Sequence, residues 1–245
     1  MAPKTVKDIL VILHSILKYT GRQYQGAFPH VEIIYPKDNK REMRVLTNEE
    51  QMRFVQYLMD GMDCCKFGTL LSLLTGMRIG EICALRWDNV SIKEGTVKVS
   101  STMQRLRDLD TNGQSSTKII ISDPKSDTSS RIIPLSDFAL ELCKKVDPKL
   151  PSAYVLTGSP SAYIEPRMLQ YKLERYTKDC RLEGVHFHTL RHTFATRCVE
   201  FGFEIKSLSE VLGHSSPKIT LERYVHSSLE LKRCNMNRVV MYGCD

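Results

Sequence analysis

Between His186 and His226 the chain gathers a His three positions before an Arg (His188, Arg191), a His after a Gly (Gly213-His214) and a Tyr after an Arg (Arg223-Tyr224). An imidazole can move a proton, a guanidinium can hold an oxyanion through two parallel hydrogen bonds, and a phenol can act as a nucleophile. Each residue also has a plainer reading. His188 alone could cap a helix or face solvent, and Tyr224 could be an ordinary half-buried Tyr. His186, His188 and His192 could suggest zinc, but no fourth ligand of fixed spacing stands nearby. The chemistry therefore depends on these residues occurring together and on what precedes them.

Such side chains need rigid elements to hold them. Leu190, Phe194 and Cys198 recur at four-residue spacing, as do Leu208 and Leu212, which predicts two amphipathic helices. Ser216 followed by Pro217 predicts the start of a third short helix carrying Tyr224. Upstream, Gly76 and Gly80 bracket Arg78 and predict a tight turn that presents this side chain at a helix junction. Thr47-x-x-Glu50 is a capping box opening a helix with Met52, Val55 and Met59 facing inward, so a compact domain is expected from about residue 45. Alternation predicts strands at 96–100, 118–122 and 131–135, joined in one small antiparallel sheet, and helices follow at 136–146 and 166–180. Ahead of the domain, Ile9, Ile12, Leu13, Ile16 and Leu17 form a broad apolar face on a helix over 6–19, which must pack on some partner. Residues 21–44 read as a basic linker, and 227–245 as a polar tail without a clear helical stripe.

Composition narrows the class. With 245 residues and 42% hydrophobic content, the chain can bury one large core or two small ones. It holds no run of 18 apolar residues, so no membrane span is predicted, and Ile9–Leu13 is too short for a secretory signal. Eight Cys show no paired spacing beyond Cys64-Cys65 and read as reduced thiols of a cytosolic protein. The net charge is +7, and residues 1–44 carry 8 Lys/Arg against 4 Asp/Glu. This balance suits nucleic-acid binding but is shared by many proteins that bind none.

Taken in order, TGMRIGE (75–81), DPKS (123–126), HTLRHTFAT (188–196), LGHSS (212–216) and ERYVH (222–226) resemble the motifs of the tyrosine recombinases, the phage-type integrases. The five motifs stand in fixed order, and the resemblance covers roughly residues 45–226. The resemblance implies an α+β, mainly helical catalytic domain with a small three-stranded antiparallel sheet. It also implies a site made of Arg78, Lys125, His188, Arg191, His214 and Tyr224. In that reading Tyr224 attacks a DNA phosphodiester, forms a 3′-phosphotyrosyl bond and frees a 5′-hydroxyl. Arg78 and Arg191 hold the non-bridging oxygens, His188 takes the phenolic proton, Lys125 protonates the leaving oxygen and His214 hydrogen-bonds the phosphate. Ionising a phenol of pKa near 10 at pH 7 costs about 4 kcal/mol, which the positive cluster has to lower. No metal and no cofactor is implied, because the phosphotyrosyl bond conserves the energy of the broken one.

The loop after Lys125 and the linker composition look most like integrases of conjugative transposons, implying a bacterial, cytoplasmic, DNA-associated enzyme that moves a mobile element. A chromosome-dimer resolving recombinase shares the chemistry. A non-catalytic DNA-binding regulator on the same scaffold is a further reading, against which Tyr224 argues. The resemblance further implies double-stranded DNA at recombination sites as partner, a tetramer of protomers on DNA, a monomer without it, and an accessory excision factor. The tail at 227–245 is expected either to dock on a neighbouring subunit or to pack in cis. Family members carry a complete core-binding domain before the linker, so residues 1–20 are expected to be its remnant helix. Arg105, Arg107, Lys118 and Arg131 are candidates for phosphate contacts or for a solvated face.

Overall fold

The computed structural model describes residues 3–23, 31–36, 43–108, 116–122, 130–224 and 236. It divides into two units, Met1–Glu42 and Met43–Asp245. In the first, helix α1 (Pro3–Gln23) extends the predicted 6–19 at both ends and buries none of its residues. Ile9, Val11, Ile12, Leu13 and Ile16 are exposed.

In the second unit, α2 (Asn48–Met59) starts where the capping box requires. Thr47 Oγ1 accepts from Glu50 N, and Glu50 returns the contact to Thr47 N. Its inward stripe is Phe54 and Leu58, flanked by Val55 and Met59, while Met52, expected inside, is 72% exposed. Just before α2, Leu46 N donates to Thr193 Oγ1 and Leu46 O accepts from Arg197, so the start of the unit is tied to α7 (Phe187–Glu200).

Helix α3 (Cys64–Thr75) is buried on nearly every side and leads into the short α4 (Ile79–Ala84) and a 3₁₀ turn at Trp87–Asn89. Phe67 stacks on Trp87 within the main core. Strands β1 (Val90–Ser91), β2 (Thr96–Val99) and β5 (Arg131–Pro134) form a three-stranded antiparallel sheet in the order β1-β2-β5. The strand expected at 118–122 is not part of it. As β4 (Ser116–Ser122) it pairs instead with β3 (Thr102–Asp108), a strand absent from the sequence reading, in a separate two-stranded ribbon. The reason is compositional: the distal part of β3 exposes Arg105, Leu106 and Arg107 in succession, so no period-two apolar signal marks it. Helices α5 (Asp137–Val146), α6 (Pro166–Asp179), α7, α8 (Ile205–Leu212) and α9 (Pro217–Tyr224) complete the unit. A second, smaller core of Ala195, Cys198, Leu208, Leu212 and Tyr224 joins α7, α8 and α9.

The two cores meet at Gly76. It ends α3 in the left-handed region (φ 67°), and a Cβ there would lie 2.5 Å from Phe194 Cδ1 and 2.9 Å from Leu212 Cδ2. Gly76→Ala is expected to destabilise the chain by about 2–5 kcal/mol, combining about 1–2 for the backbone and about 1–3 for overpacking. Urea unfolding followed by the fluorescence of Trp87, the one Trp, measures it; a loss under about 1 kcal/mol would refute the close packing.

Candidate active site

Helix α8 ends in a left-handed Gly213 (φ 63°), and its last carbonyls need partners that the helix cannot supply. Three arginines from three parts of the chain provide them. Arg131 Nε donates to Val211 O (2.6 Å), Arg191 Nη2 to Leu212 O (2.6 Å) and Arg78 Nη2 to Gly213 O (3.0 Å). A helix C-terminus is the negative end of the peptide dipole, so it stabilises cations there. Gly213 is required sterically as well, because a Cβ would stand 2.9 Å from Arg131 Nη1.

One buried carboxylate organises the same cluster. Glu81 takes a two-pronged contact from Arg131, Oε1 at 3.0 Å from Nη1 and Oε2 at 2.8 Å from Nη2. It also accepts from the backbone N–H and from Nη1 of Arg78, both at 2.8 Å. Burial by itself would raise the Glu81 carboxyl, but Arg131 and Arg78 outweigh it and hold the group below the usual carboxylate range. Arg191, 4% exposed, donates its other terminal nitrogen to Gly76 O (2.8 Å). Burial and the neighbouring Arg78 push its guanidinium down to about 9, so it stays charged at neutral pH.

Tyr224 is buried in the small core with its hydroxyl 2.8 Å from His192 Nδ1. Its ring lies parallel to that of His214, at 6.4 Å and 4°. His214 Nδ1 is in turn 2.8 Å from Thr220 Oγ1. Burial raises the Tyr224 phenol, while Arg191, Arg223 and Arg78 pull it back. His188 is exposed, with its ring 6.1 Å from that of His192.

Arg78, Arg191, His188, His214 and Tyr224 thus share one locality, in which Arg78, Arg191 and Arg223 act electrostatically on the histidines. Lys125 lies outside the described residues, as does the tail apart from Met236. Three residues with no assigned role join the site: Glu81, Arg131 and His192. Arg131, weighed as a phosphate contact or a solvated residue, is instead buried against Glu81. Arg105 and Lys118 form exposed ion pairs with Glu165 and Asp108. His192 carried one usable signal, its place one turn after His188 on the same helix face. Among the described residues no group of three His, Cys, Asp or Glu side chains is placed to hold a metal ion.

Among the described residues, four guanidiniums (Arg78, Arg131, Arg191, Arg223) stand against one carboxylate, Glu81, beside a buried phenol, an arrangement able to attract an anionic group. Residues 44–230 match the phage integrase family, and the chain belongs to that family. A tyrosine recombinase XerC-like protein of Caldanaerobacter subterraneus subsp. tengcongensis is 27% identical, over 91% of this chain and 62% of its own length. The integrase of Staphylococcus phage L54a is 26% identical over 65% of this chain and 47% of its own. The chain therefore spans about three-fifths or less of these relatives. Among solved structures, the Tn1549 transposon integrase in complex with transposon right end DNA has the same fold, with TM-score 0.76, 20% identity and coverage of 97% of this chain and 80% of its own. The XerH site-specific recombinase bound to its difH substrate superposes with TM-score 0.59 at 18% identity, over 95% of this chain and 64% of its own.

The histidines give the unit a defined acid response. Burial first, then His188, Arg223 and Arg191, push His192 down to about 4; burial and Arg191 do the same to His214. Unfolded, both imidazoles bind a proton below about 6.5; folded, they remain neutral down to about 4. The unfolded state therefore holds more protons between these values, and stability must rise with pH from about 4 to about 6.5. Below about 4.5 the depressed Glu81 acts in the same direction, its stabilisation being lost as pH falls. Urea midpoints across pH 4–7.5 test this; a midpoint that fell as pH rose through this window would contradict buried, neutral rings.

Proposed function

We propose that the chain is a site-specific DNA recombinase that cuts and rejoins double-stranded DNA through a 3′-phosphotyrosyl intermediate to move a mobile genetic element. The observation that carries this is the Tyr224 phenol standing within the electrostatic reach of Arg191, Arg223 and Arg78 in a cluster with a large excess of positive charge. A phosphodiester repels a nucleophile until its charge is masked, and forked donors on its non-bridging oxygens stabilise the phosphorane that follows. Arg78 and Arg191 supply those donors, the Nε2 edge of His214 adds another, and Lys125 protonates the departing 5′-oxygen. The sequence assigns the phenolic proton to His188. Burial keeps Tyr224 protonated in the free site, so the phenol has to lose its proton to a base as it attacks. The mobile-element reading is supported by the loop and linker composition, and a tetramer on DNA with an accessory excision factor belongs to the same proposal.

Covalent capture tests the chemistry without knowledge of the site. The 245-residue chain is incubated with a pool of nicked duplexes of randomised sequence, and DNA retained on denatured protein is recovered and sequenced. The wild-type chain is expected to form an adduct, and Tyr224→Phe to retard the recovered duplex in a gel yet form none. Arg78→Lys, which keeps the charge and loses the fork, should slow adduct formation by about 10²–10³-fold. An adduct from Tyr224→Phe would refute the nucleophile, and no wild-type adduct on any duplex would refute the recombinase reading.

A further inference from the structure

The contact between Tyr224 Oη and His192 Nδ1 has its direction set by chemistry. Burial keeps the phenol protonated at neutral pH, so it donates. The acceptor must then be an unprotonated Nδ1, with the ring proton on Nε2. We infer that His192 is the group that receives the phenolic proton when Tyr224 attacks phosphorus and that returns it when the strands are rejoined. This rests on the recombinase reading above and moves the first proton transfer from His188 to His192.

Geometry separates the two histidines. A general base must come within about 2.6–3.2 Å of the atom it deprotonates, and at 2.8 Å His192 does. His188 sits one helical turn earlier, exposed, with its ring 6.1 Å from the His192 ring. Glu81, the buried carboxylate of the cluster, is engaged by Arg131 and Arg78 and does not compete for the role. The groups acting on His192 are His188 and Arg191 from α7 and Arg223 from α9, with Tyr224 in contact and Arg78 and His214 around the phenol. All are neutral or cationic.

That surrounding makes the base conditional. Without a bound phosphate the cations disfavour an imidazolium, and the phenol keeps its proton. A phosphodiester seated on Arg78 and Arg191 brings negative charge to the same locality and relieves that repulsion, so substrate and base strength arrive together. In the step itself the Oη–P bond forms, the P–O5′ bond breaks, and the proton on Oη moves to His192 Nδ1. The 5′-oxygen takes a proton from a donor on its own side of phosphorus, water sufficing for the balance. The ester oxygen then carries no proton, and the protonated Nδ1 can donate to it. Rejoining reverses the transfer, since the phenol must leave as a neutral group.

The test uses the full chain and the duplex recovered by covalent capture, with the 5′-bridging oxygen either native or replaced by sulfur, a leaving group that needs no proton. His192→Asn keeps an acceptor near the Nδ1 position and cannot take up the proton. It should bind the duplex as the wild type does, yet form adduct about 10²–10⁴-fold more slowly at pH 7. The deficit should persist on the sulfur substrate and shrink as pH rises above 7, as hydroxide takes over removal of the phenolic proton. A deficit constant with pH would assign His192 a merely structural role and overturn the inference, as would an adduct rate within about threefold of wild type. Independently of DNA, ¹⁵N chemical shifts of the His192 ring should report the Nε2–H tautomer at neutral pH; an Nδ1–H tautomer would overturn the inference too. Failure of the wild-type chain to form any adduct sinks the recombinase reading instead, and is distinguishable from failure of His192→Asn to slow it.

Discussion

The end of α8 is the constraint on which the site depends. Two unit charges 4 Å apart at an effective dielectric near 20 interact by about 4 kcal/mol, so gathering arginines in a partly buried space is costly. Three successive carbonyls, from Val211 to Gly213, each take one donor from a different arginine, and Glu81 ties two of those arginines together. The repulsion is offset by groups that cannot rearrange, because a helix terminus and a buried carboxylate hold their positions. What remains is a rigid excess of positive charge, and the cheapest way to relieve it is an anion. Preorganisation of this kind stabilises developing charge with little reorganisation during reaction.

Tyr224 is held by the opposite kind of environment. Tyr224 shares its small core with Ala195, Cys198, Leu208 and Leu212, and burial there opposes loss of its proton. A phenol at the edge of an apolar cluster is kept un-ionised by one side and drawn toward ionisation by the other. The balance falls to the protonated form, with the phenol raised above its ordinary value. Only an additional interaction, such as a base in contact, can tip it. The site is therefore quiet by default, a useful property in a group that could otherwise react with any accessible electrophile.

Arg78, His214 and Tyr224 were legible as candidates in the sequence because local punctuation frames them. Gly76 and Gly80 bracket Arg78, Gly213 precedes His214, and Ser216-Pro217 opens the helix that ends at Tyr224. Turn and cap chemistry is local, so spacing reveals it. Glu81 and Arg131 meet across fifty residues, and nothing nearby marks either as half of a pair. The alternation of β5 sends Arg131 inward with Ile133 and leaves Ile132 out, yet an arginine at the head of a strand reads as solvated until its partner is known. The same limit hid the pairing of β3 with β4. Cross-strand partners are chosen in space, and a ribbon with much of both faces in water leaves little apolar periodicity to read. On α2, Met52 lost the inward place to Phe54 because the position of Thr47 sets the phase of the helix.

One short segment connects the charge cluster with the nucleophile. From Val211 to Thr220 the chain passes from carbonyls that hold three arginines, through the left-handed Gly213, to His214, whose Nδ1 contacts Thr220 Oγ1 on α9. That contact spans the turn between α8 and α9, and the parallel stacking of His214 on Tyr224 continues the connection to the phenol. The element that fixes the guanidiniums therefore also fixes the direction from which the phenol approaches the group they bind. A swing of α9 would break the contacts with His192 and His214 but none of the bonds from arginine to the α8 carbonyls. The guanidinium cluster can thus survive displacement of Tyr224, whereas its juxtaposition with the phenol requires both ends of this segment in place. In physical terms, the guanidinium cluster is the more robust layer of the site, and the phenol belongs to the layer that two imidazole contacts hold in place.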